Sequence, residues 1–294
     1  MVKASRGTSV YCGTSLRSNQ YNAQNAVRRL ILSAAALSPA VILVAAITTA
    51  AAGQALMAGK DGYAALLASP FFKKAVVFSF LVAVFCALIS VFAGAFLAFL
   101  FCEKTGGVIF LANIYVALPY LAAASFVANT FGDNGLAAHL VKIIFPPLRG
   151  TGIRYNPIGV GVIIACIYKQ IPFVFLTLSA FFRGLREKFY DTACTLGTRP
   201  ITIFFKVYLP NAVRPLAGAA ILIFQFTLFN YEAFAFLGPS SPKGLGELLI
   251  MFYYSADASP KKIAMALCAL QIAFTIITAA ALAVIIFGGR KKEF

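Results

Sequence analysis

Long apolar stretches separated by short polar segments dominate the chain. Six of them are long enough to cross a bilayer core about 30 Å thick, which takes about 20 helical residues. The stretches are approximately Leu30–Met57, Ala75–Phe101, Val108–Asn129, Ile158–Phe182, Ala217–Leu237 and Ile263–Phe287. Because lipid offers no hydrogen-bond partner to the backbone, each stretch is expected to be an α-helix. The pattern predicts an all-α integral membrane protein with six transmembrane helices.

The polar segments divide the chain into one membrane domain and two short tails. Residues 1–29 are polar, and the apolar run that follows is too long for the hydrophobic region of a cleaved signal peptide. We therefore expect a cytosolic tail over 1–29, a six-helix domain over 30–289 and a basic cytosolic tail over 290–294. With the N-terminus inside, the cytosolic segments carry more Lys and Arg than the outer loops do. Both termini are accordingly predicted to be cytosolic.

Composition and charge agree with a membrane protein. Hydrophobic residues make up 61% of the chain and charged residues 12%, whereas soluble proteins carry about 25% charged residues. The net charge is +16, from 25 Lys and Arg against 9 Asp and Glu. In a membrane protein this excess is typical of basic loops that orient the spans and contact anionic lipid head groups. We expect membrane lipid as a partner and no nucleic acid, because aromatic and basic residues are not interleaved outside the apolar stretches.

The sequence carries no pattern typical of catalysis or metal binding. The six cysteines form no C-x-x-C pair and His139 is the single histidine, so neither a disulfide framework nor a metal site is expected. The nearest approach to a phosphate-binding loop is Gly53, Gly59, Lys60 and Asp61, which has the wrong spacing and lacks the Ser or Thr that contacts magnesium. We expect no catalytic residues, and a membrane-embedded enzyme is disfavoured.

The longest predicted cytosolic connection, residues 183–216, has helical patterns of its own. Residues 187–196 suit a short helix, and Gly197 permits a left-handed turn that ends it. Thr198 is a candidate N-cap for a second helix, with Pro200 tolerated in its first turn. The predicted apolar face of this second helix consists of Ile201, Phe204 and Phe205. A structured connection of this length predicts a functional element.

This connection resembles a family motif. Permease subunits of binding-protein-dependent, type I ABC importers carry E-A-A-x3-G-x9-I-x-L-P in their cytosolic loop. The chain keeps the full spacing, with Asp, Thr and Val in place of the Glu, the first Ala and the Ile. The matching positions are Asp191, Thr192, Ala193, Gly197, Val207, Leu209 and Pro210. The resemblance implies that they form a coupling loop that docks on a separate ATPase subunit.

The resemblance further implies a larger import complex in a bacterial inner membrane. This multi-pass chain would form half of the translocation pathway, beside a second permease subunit that is identical or homologous. Two ATPase subunits would bind ATP and Mg, and this chain would bind no cofactor and catalyse no reaction. A periplasmic or lipid-anchored substrate-binding protein would deliver the solute.

Shorter segments extend the resemblance along the chain. Leu118-Pro119-Tyr120 and the residues 131–136 look like the third span and following loop of this family, and Ile171-Pro172-Phe173 looks like its fourth span. Residues 230–238 are similar to the end of the fifth span in the spermidine/putrescine-type branch. That branch often has proline where this chain has Phe234.

Polar residues inside the predicted spans are candidates for the substrate path. Lys169 and Glu232 are the ionisable residues well inside a span, where charge is costly. Gln225 lies seven residues before Glu232, hence on the same face of a continuous helix. The set is completed by Asn230 and Tyr231. Glu232, with Tyr231, Phe234 and Phe236 around it, could attract an organic cation, or it could be an ion-pair or helix-end carboxylate.

Three roles stay open for Lys169, and several solutes stay open for the pathway. Lys169 could satisfy the carbonyl freed by Pro172, pair with Glu232, or line a cavity. A polyamine-like cation is favoured by Glu232, whereas the net positive outer loops suit an anionic solute or an acidic binding protein. Ferric iron, thiamine, phosphonate or another small anion stay open as alternative substrates. An ion-driven secondary transporter is the alternative function, although the two halves of the sequence show no clear repeat.

Overall fold

The computed structural model describes most of the predicted membrane domain. The described residues are 42, 45–101, 106–132, 135, 155–190, 195 and 197–287. The chain divides into two units, Met1–Gln54 and Ala55–Phe294, and residues 45–54 of the first are helical. The predicted tails and half of the predicted first span lie outside the described residues. The elements below belong to the second unit.

The regular elements of the described residues are all helices. Their bounds are α1, residues 55–68; α2, Pro70–Phe101; α3, Gly107–Ala117; α4, Tyr120–Phe131; α5, Val160–Leu185; α6, Pro200–Asn211; α7, Val213–Leu228; α8, Tyr231–Leu237; α9, Leu245–Tyr253; and α10, Ala258–Phe287. Helix α5 continues as a π-helical turn, Arg186–Tyr190, and α6 contains another, Phe204–Tyr208.

Three helices, α2, α5 and α10, are individually long and apolar enough to cross a membrane. Two bent pairs, α3 with α4 and α6 with α7, meet the same criterion as pairs. The described part therefore holds three spans, or up to five if each bent pair is one span. The predicted all-helical membrane fold is confirmed, while the count of six and the cytosolic termini stay predictions.

The third predicted span is not one continuous helix. Helices α3 and α4 meet at an angle of 100° at Leu118 and Pro119. Leu118 has extended backbone, with ψ 137°, because the Pro119 ring disfavours helical geometry in the residue before it. Pro119 also lacks the N–H that would continue the hydrogen-bond ladder. The prediction of one uninterrupted span helix over Val108–Asn129 is therefore wrong, although the two helices can together form one broken span.

The fifth predicted span, Ala217–Leu237, is also interrupted. Helix α7 ends at Leu228, and α8 begins after Asn230, which has extended backbone. The Asn230 side-chain oxygen accepts a hydrogen bond from the Ala233 N–H at 2.8 Å and so caps α8. An N-cap of this kind stabilises a helix by about 0.5–2 kcal/mol.

Helix α9 has no counterpart in the predictions, because nine residues are too short to register as a span. The α2 hydroxyl of Ser79 accepts a hydrogen bond from the Leu245 N–H at 2.9 Å at the start of α9. At Gly246, an added Cβ would lie 2.7 Å from the Phe229 carbonyl oxygen. Helix α9 thus packs directly on the break between α7 and α8.

Small residues bring α2 and α5 into close contact. A Cβ added at Gly94 would lie 2.5 Å from Val174 Cβ and 3.1 Å from the Ile171 carbonyl oxygen. The buried face of α2 near Gly94 also carries Ala83, Ala87, Ser90, Ala95 and Ala98. In membranes, where lipid removes the hydrophobic drive between helices, such small residues allow van der Waals packing at short range.

Candidate functional site

The first candidate site is the connection between α5 and α7. Gly197 has φ +72°, so the predicted left-handed turn is present, and a Cβ there would meet no atom within 4 Å. The N-cap of α6 is Arg199, and the prediction of Thr198 at this position is wrong. Arg199 is in the extended conformation because Pro200 follows it at the first helical position. The motif positions Asp191, Thr192 and Ala193 lie outside the described residues.

Helix α6 packs one side against the ends of α2 and α5. Ile203, Phe204 and Tyr208 are fully buried. The ring centroid of Tyr208 lies 4.9 Å from that of Phe99 and 5.1 Å from that of Phe182. Aromatic pairs at these separations add about 0.5–1.5 kcal/mol each to the burial of their area. Helix α6 is therefore attached firmly to the membrane helices.

The predicted apolar face of α6 is buried at only one of its three residues. Phe204 is buried, but Ile201 and Phe205 are 49% and 48% exposed. Tyr208 lies four residues after Phe204 and therefore shares the buried side with it. The exposed side carries Ile201, Phe205, Lys206 and Pro210, with Val207 and Leu209 half-buried. An apolar and basic surface thus faces away from the bundle.

The second candidate site is a cavity of about 400 Å³ at the break between α3 and α4. It is lined by Val116, Leu118, Tyr120, Lys169, Gln170, Phe173, Leu222, Ile223 and Phe226. The lining is mostly apolar, and its polar groups come from α4 and α5. The cavity thus has the apolar wall with a few polar groups that is typical of small-molecule sites.

Lys169 is held at this cavity by the end of α3. Its ammonium donates to the carbonyl oxygens of Tyr115 at 3.0 Å and Val116 at 2.8 Å, and to that of Leu118. Of the three roles left open, Lys169 does line a cavity. It also satisfies backbone carbonyl groups, but these lie at the end of α3 and at Leu118, not one turn before Pro172. Within the described residues no ion pair joins Lys169 to Glu232.

A buried polar network adjoins Lys169. Gln170 is 5% exposed and its side-chain nitrogen donates to the Tyr120 hydroxyl at 2.9 Å and to the Thr227 hydroxyl at 2.7 Å. These bonds connect α5 to α4 and α7. The candidate path drawn from the sequence omits all three residues. The sequence signal that could have revealed this network is an uncharged polar residue, Gln170 or Thr227, inside a predicted span.

An adjoining cavity of about 510 Å³ contains most of the predicted path residues. It is lined by Pro119, Tyr120, Gln225, Phe226, Phe229, Asn230, Tyr231, Glu232 and Gln271. Tyr120 and Phe226 line both cavities. The structure therefore brings Gln225, Asn230, Tyr231 and Glu232 together, with Lys169 in the neighbouring cavity.

The reason given for grouping Gln225 with Glu232 is wrong, because the helix between them is broken. Gln225 is on α7, where its side chain donates to the Thr275 hydroxyl of α10 at 2.5 Å. Glu232 is exposed in the first turn of α8, where the helix dipole favours a carboxylate. Phe234 does not surround it: this ring is buried against Phe78, with centroids 5.6 Å apart.

No resident metal is indicated by the described side chains, among which no three His, Cys, Asp or Glu residues are grouped to hold one. The arrangement consists of two adjoining cavities, a hydrogen-bonded ammonium, an exposed carboxylate and aromatic walls. It offers binding and no reactive nucleophile with an adjacent base.

Comparison with protein families matches residues 90–290 to the binding-protein-dependent transport system inner membrane component. The match takes in both cavities and the connection that contains Gly197. The chain belongs to this family. The family-level resemblance is thereby confirmed, and so is a multi-pass inner membrane location for this inner membrane component.

Relatives of this chain are named for different solutes. It is 27% identical over 180 residues to the thiamine transport system permease protein ThiP of Brucella suis biovar 1, covering 60% of this chain and 31% of the relative. It is 24% identical over 168 residues to the probable sulfate transport system permease protein cysT of Zygnema circumcarinatum, covering 56% of each. The molybdenum transport system permease protein ModB of Azotobacter vinelandii is 24% identical over 144 residues, covering 49% of this chain and 61% of the relative. The match thus spans less than two thirds of each of these relatives.

The fold of the inner membrane component is also found among solved structures. A chain from the crystal structure of a bacterial ABC transporter involved in the import of the acidic polysaccharide alginate superposes with a TM-score of 0.66 at 15% identity. The superposition covers 93% of this chain and 100% of that chain. This likeness supports the predicted permease fold.

Proposed function

We propose that this chain is a transmembrane permease subunit of an ATP-driven importer and forms half of its translocation pathway. The observation that carries the proposal is helix α6, which follows the left-handed Gly197 inside the family match. Its buried side is attached to α2 and α5 through Phe204 and Tyr208, and its other side is exposed. Such a helix can transmit a force applied to its exposed side directly to the membrane helices.

The proposed coupling loop covers residues 187–210 and has the motif positions given above. Two separate ATPase subunits bind ATP and Mg and contact this loop, so this chain binds no cofactor itself. A second permease subunit, identical or homologous, completes the pathway, and a periplasmic or lipid-anchored binding protein supplies the solute. The family description, a component of a binding-protein-dependent system, supports these partners and disfavours an ion-driven secondary transporter.

The test is reconstitution in lipid vesicles with and without the cognate ATPase subunits. We expect no ATP hydrolysis by the chain alone, and hydrolysis stimulated by the binding protein in the complete complex. As a control, a complex whose ATPase subunits lack their catalytic carboxylate should assemble and transport nothing. Solute uptake by the isolated chain, driven by an ion gradient, would contradict the proposal.

For the solute, we propose an organic cation. Glu232 is exposed at the larger cavity beside Tyr231, Phe226 and Phe229, whose aromatic faces attract cations. The positive charge of Lys169 is engaged by three backbone carbonyls and so repels a cation less. A thiamine permease among the relatives is compatible with this class, and the spermidine/putrescine-type branch is the finer form of the proposal.

Competition for binding-protein-dependent uptake distinguishes the solute classes. Thiamine and spermidine represent organic cations, and ferric iron, phosphonate, sulfate and molybdate represent the alternatives. Glu232→Gln should lower the maximal uptake of the cation about tenfold, because one charge-assisted contact is lost. Glu247→Gln is the control, since Glu247 pairs with Lys243 and lines neither cavity. Uptake of an oxyanion, unaffected by Glu232→Gln, would contradict the cation proposal.

A further inference from the structure

The break in the third span leaves backbone acceptors inside a membrane helix pair. Helix α3 ends at Ala117. The Leu118 N–H still donates to the Tyr115 carbonyl oxygen at 3.3 Å, but the carbonyl groups after Tyr115 have no N–H donor in a following turn of α3. Pro119 supplies no N–H either. Carbonyl groups at membrane depth are tolerated only where protein or a water-filled cavity satisfies them. The end of α3 therefore requires donors from elsewhere in the chain.

Lys169 provides donors at this end of α3. An ammonium carries three N–H donors, and Lys169 contacts three carbonyl oxygens, those of Tyr115, Val116 and Leu118. The C-terminal end of α3 also bears the negative end of the helix dipole, which favours a cation. A charge inside a span is costly unless it is paired in this way. The ammonium and the broken helix thus stabilise each other.

The neighbours of Lys169 on α5 hold the same break. The Tyr168 hydroxyl is 2.5 Å from the Tyr115 hydroxyl on α3. The Gln170 side chain donates to the hydroxyl of Tyr120, the first residue of α4. Three consecutive residues of α5 therefore contact both sides of the α3–α4 break, and Tyr120 lines both cavities.

We propose that Lys169 is a positioning residue that fixes the start of α4 and thereby the width of the opening between the two cavities. It acts through its hydrogen bonds to the three carbonyl groups, which we call the clamp, and does not itself bind the solute. The proposal deepens the transport function and rests on it for its transport readout. Its structural readout, the exchange of backbone amides, does not depend on that function.

The structural test is hydrogen–deuterium exchange of the full chain in lipid nanodiscs. In Lys169→Ala, the amides of residues 118–124 should exchange about tenfold faster, as expected from losing hydrogen bonds to a charged group. Propylammonium replaces the missing atoms of the lysine side chain and should restore slow exchange. Tetramethylammonium has the same charge but no N–H donor and should not. Lys74→Ala, an exposed lysine at the start of α2, is the control and should match the parent.

The transport test uses the complete complex with its binding protein. Lys169→Ala and Lys169→Met should lower the maximal uptake rate about tenfold with little change in the solute concentration for half-maximal uptake. Propylammonium should restore the rate in Lys169→Ala alone, because Met fills the space that propylammonium needs. If Lys169→Ala does not fold, folding in the presence of propylammonium only would support the clamp.

The outcomes separate the clamp from the transport function. Unchanged amide exchange at residues 118–124 in Lys169→Ala would overturn the clamp, whatever the uptake rate of that variant. Equal rescue by tetramethylammonium would also overturn it, since that cation cannot donate to carbonyl groups. Altered exchange in a chain that transports nothing even as the parent would refute the transport function and leave the clamp standing.

Discussion

Substitution of Gly197 is the most direct test of the proposed coupling loop, because backbone strain and steric clash can be told apart at this position. Its φ of +72° lies in the left-handed region, which residues with a Cβ rarely adopt. An added Cβ would meet no atom within 4 Å. Substitution there therefore strains the backbone without creating a clash. The perturbation is the series Gly197→Asn, Gly197→Ala and Gly197→Val.

The expected magnitudes follow from the backbone alone. A residue with a Cβ pays about 1–2 kcal/mol in the left-handed conformation, whereas Asn tolerates it best among the non-glycine residues. A loss of this size lowers the population of the docking-competent turn by a factor of about 5–30. We expect Val to suffer most, because β-branched residues are rarest in this region.

The assay is co-purification of the chain with its cognate ATPase subunit, together with ATP hydrolysis stimulated by the binding protein. Both should fall in the order Asn, Ala, Val, while the unfolding temperature of the membrane helices stays constant. Gly184→Val is the matched control: a Cβ at Gly184 also meets no atom within 4 Å, but the backbone there is helical. It should assemble at the parent level.

Two different results would contradict the proposed role of the left-handed turn at Gly197. If Gly197→Val assembles and hydrolyses ATP as the parent does, the turn at Gly197 has no role in docking. If Gly197→Asn and Gly197→Val are equally impaired, left-handed strain is not the cause, because Asn accommodates that conformation.

Two further predictions concern stability and can be checked by chemical unfolding in detergent. Gly94→Ala should destabilise the chain by about 1–3 kcal/mol, because the new Cβ overlaps Val174, and a neutral result would show that α2 and α5 are not so close. Asn230→Ala should cost about 0.5–2 kcal/mol through loss of the cap on the Ala233 N–H, and Asn230→Asp should retain most of the stability. A loss as large in the Asp variant as in the Ala variant would contradict the cap.

The parts of the fold that depend on local composition could be predicted from the sequence. The apolar lengths of α2, α5 and α10 indicate spans because lipid penalises unpaired backbone groups irrespective of tertiary context. The left-handed turn at Gly197 was likewise readable, since glycine is the residue that adopts it at least cost. These features require no knowledge of which helices are neighbours.

The breaks in the spans could not be predicted from local composition. Pro172 lies within the continuous α5, whereas Pro119 separates α3 from α4. Proline alone does not decide the outcome, because neighbouring groups decide whether freed carbonyls are satisfied. Lys169 supplies the donors at Leu118, and this contact joins residues 51 positions apart. Spacing along one helix could not reveal it.

The cavity residues were predicted in part for a similar reason. Glu232 and Gln225 line one cavity, as expected, but they do so across the break at Asn230 and not along one helical face. Gln170 and Thr227 were passed over because they are uncharged, although a buried amide and hydroxyl in a span also need partners. The buried side of α6 was missed because Ile203, Phe204 and Tyr208 also lie at helical spacing, and spacing alone does not tell which apolar set is buried.

The broken third span has a consequence for how the lining of this cavity can vary. At Leu118 the polarity facing the cavity comes from the main chain, which every residue type possesses. Mutation of the surrounding side chains alters shape and charge without removing that polarity. Substitutions around this cavity therefore change its side chains while the main-chain acceptors at the break are retained.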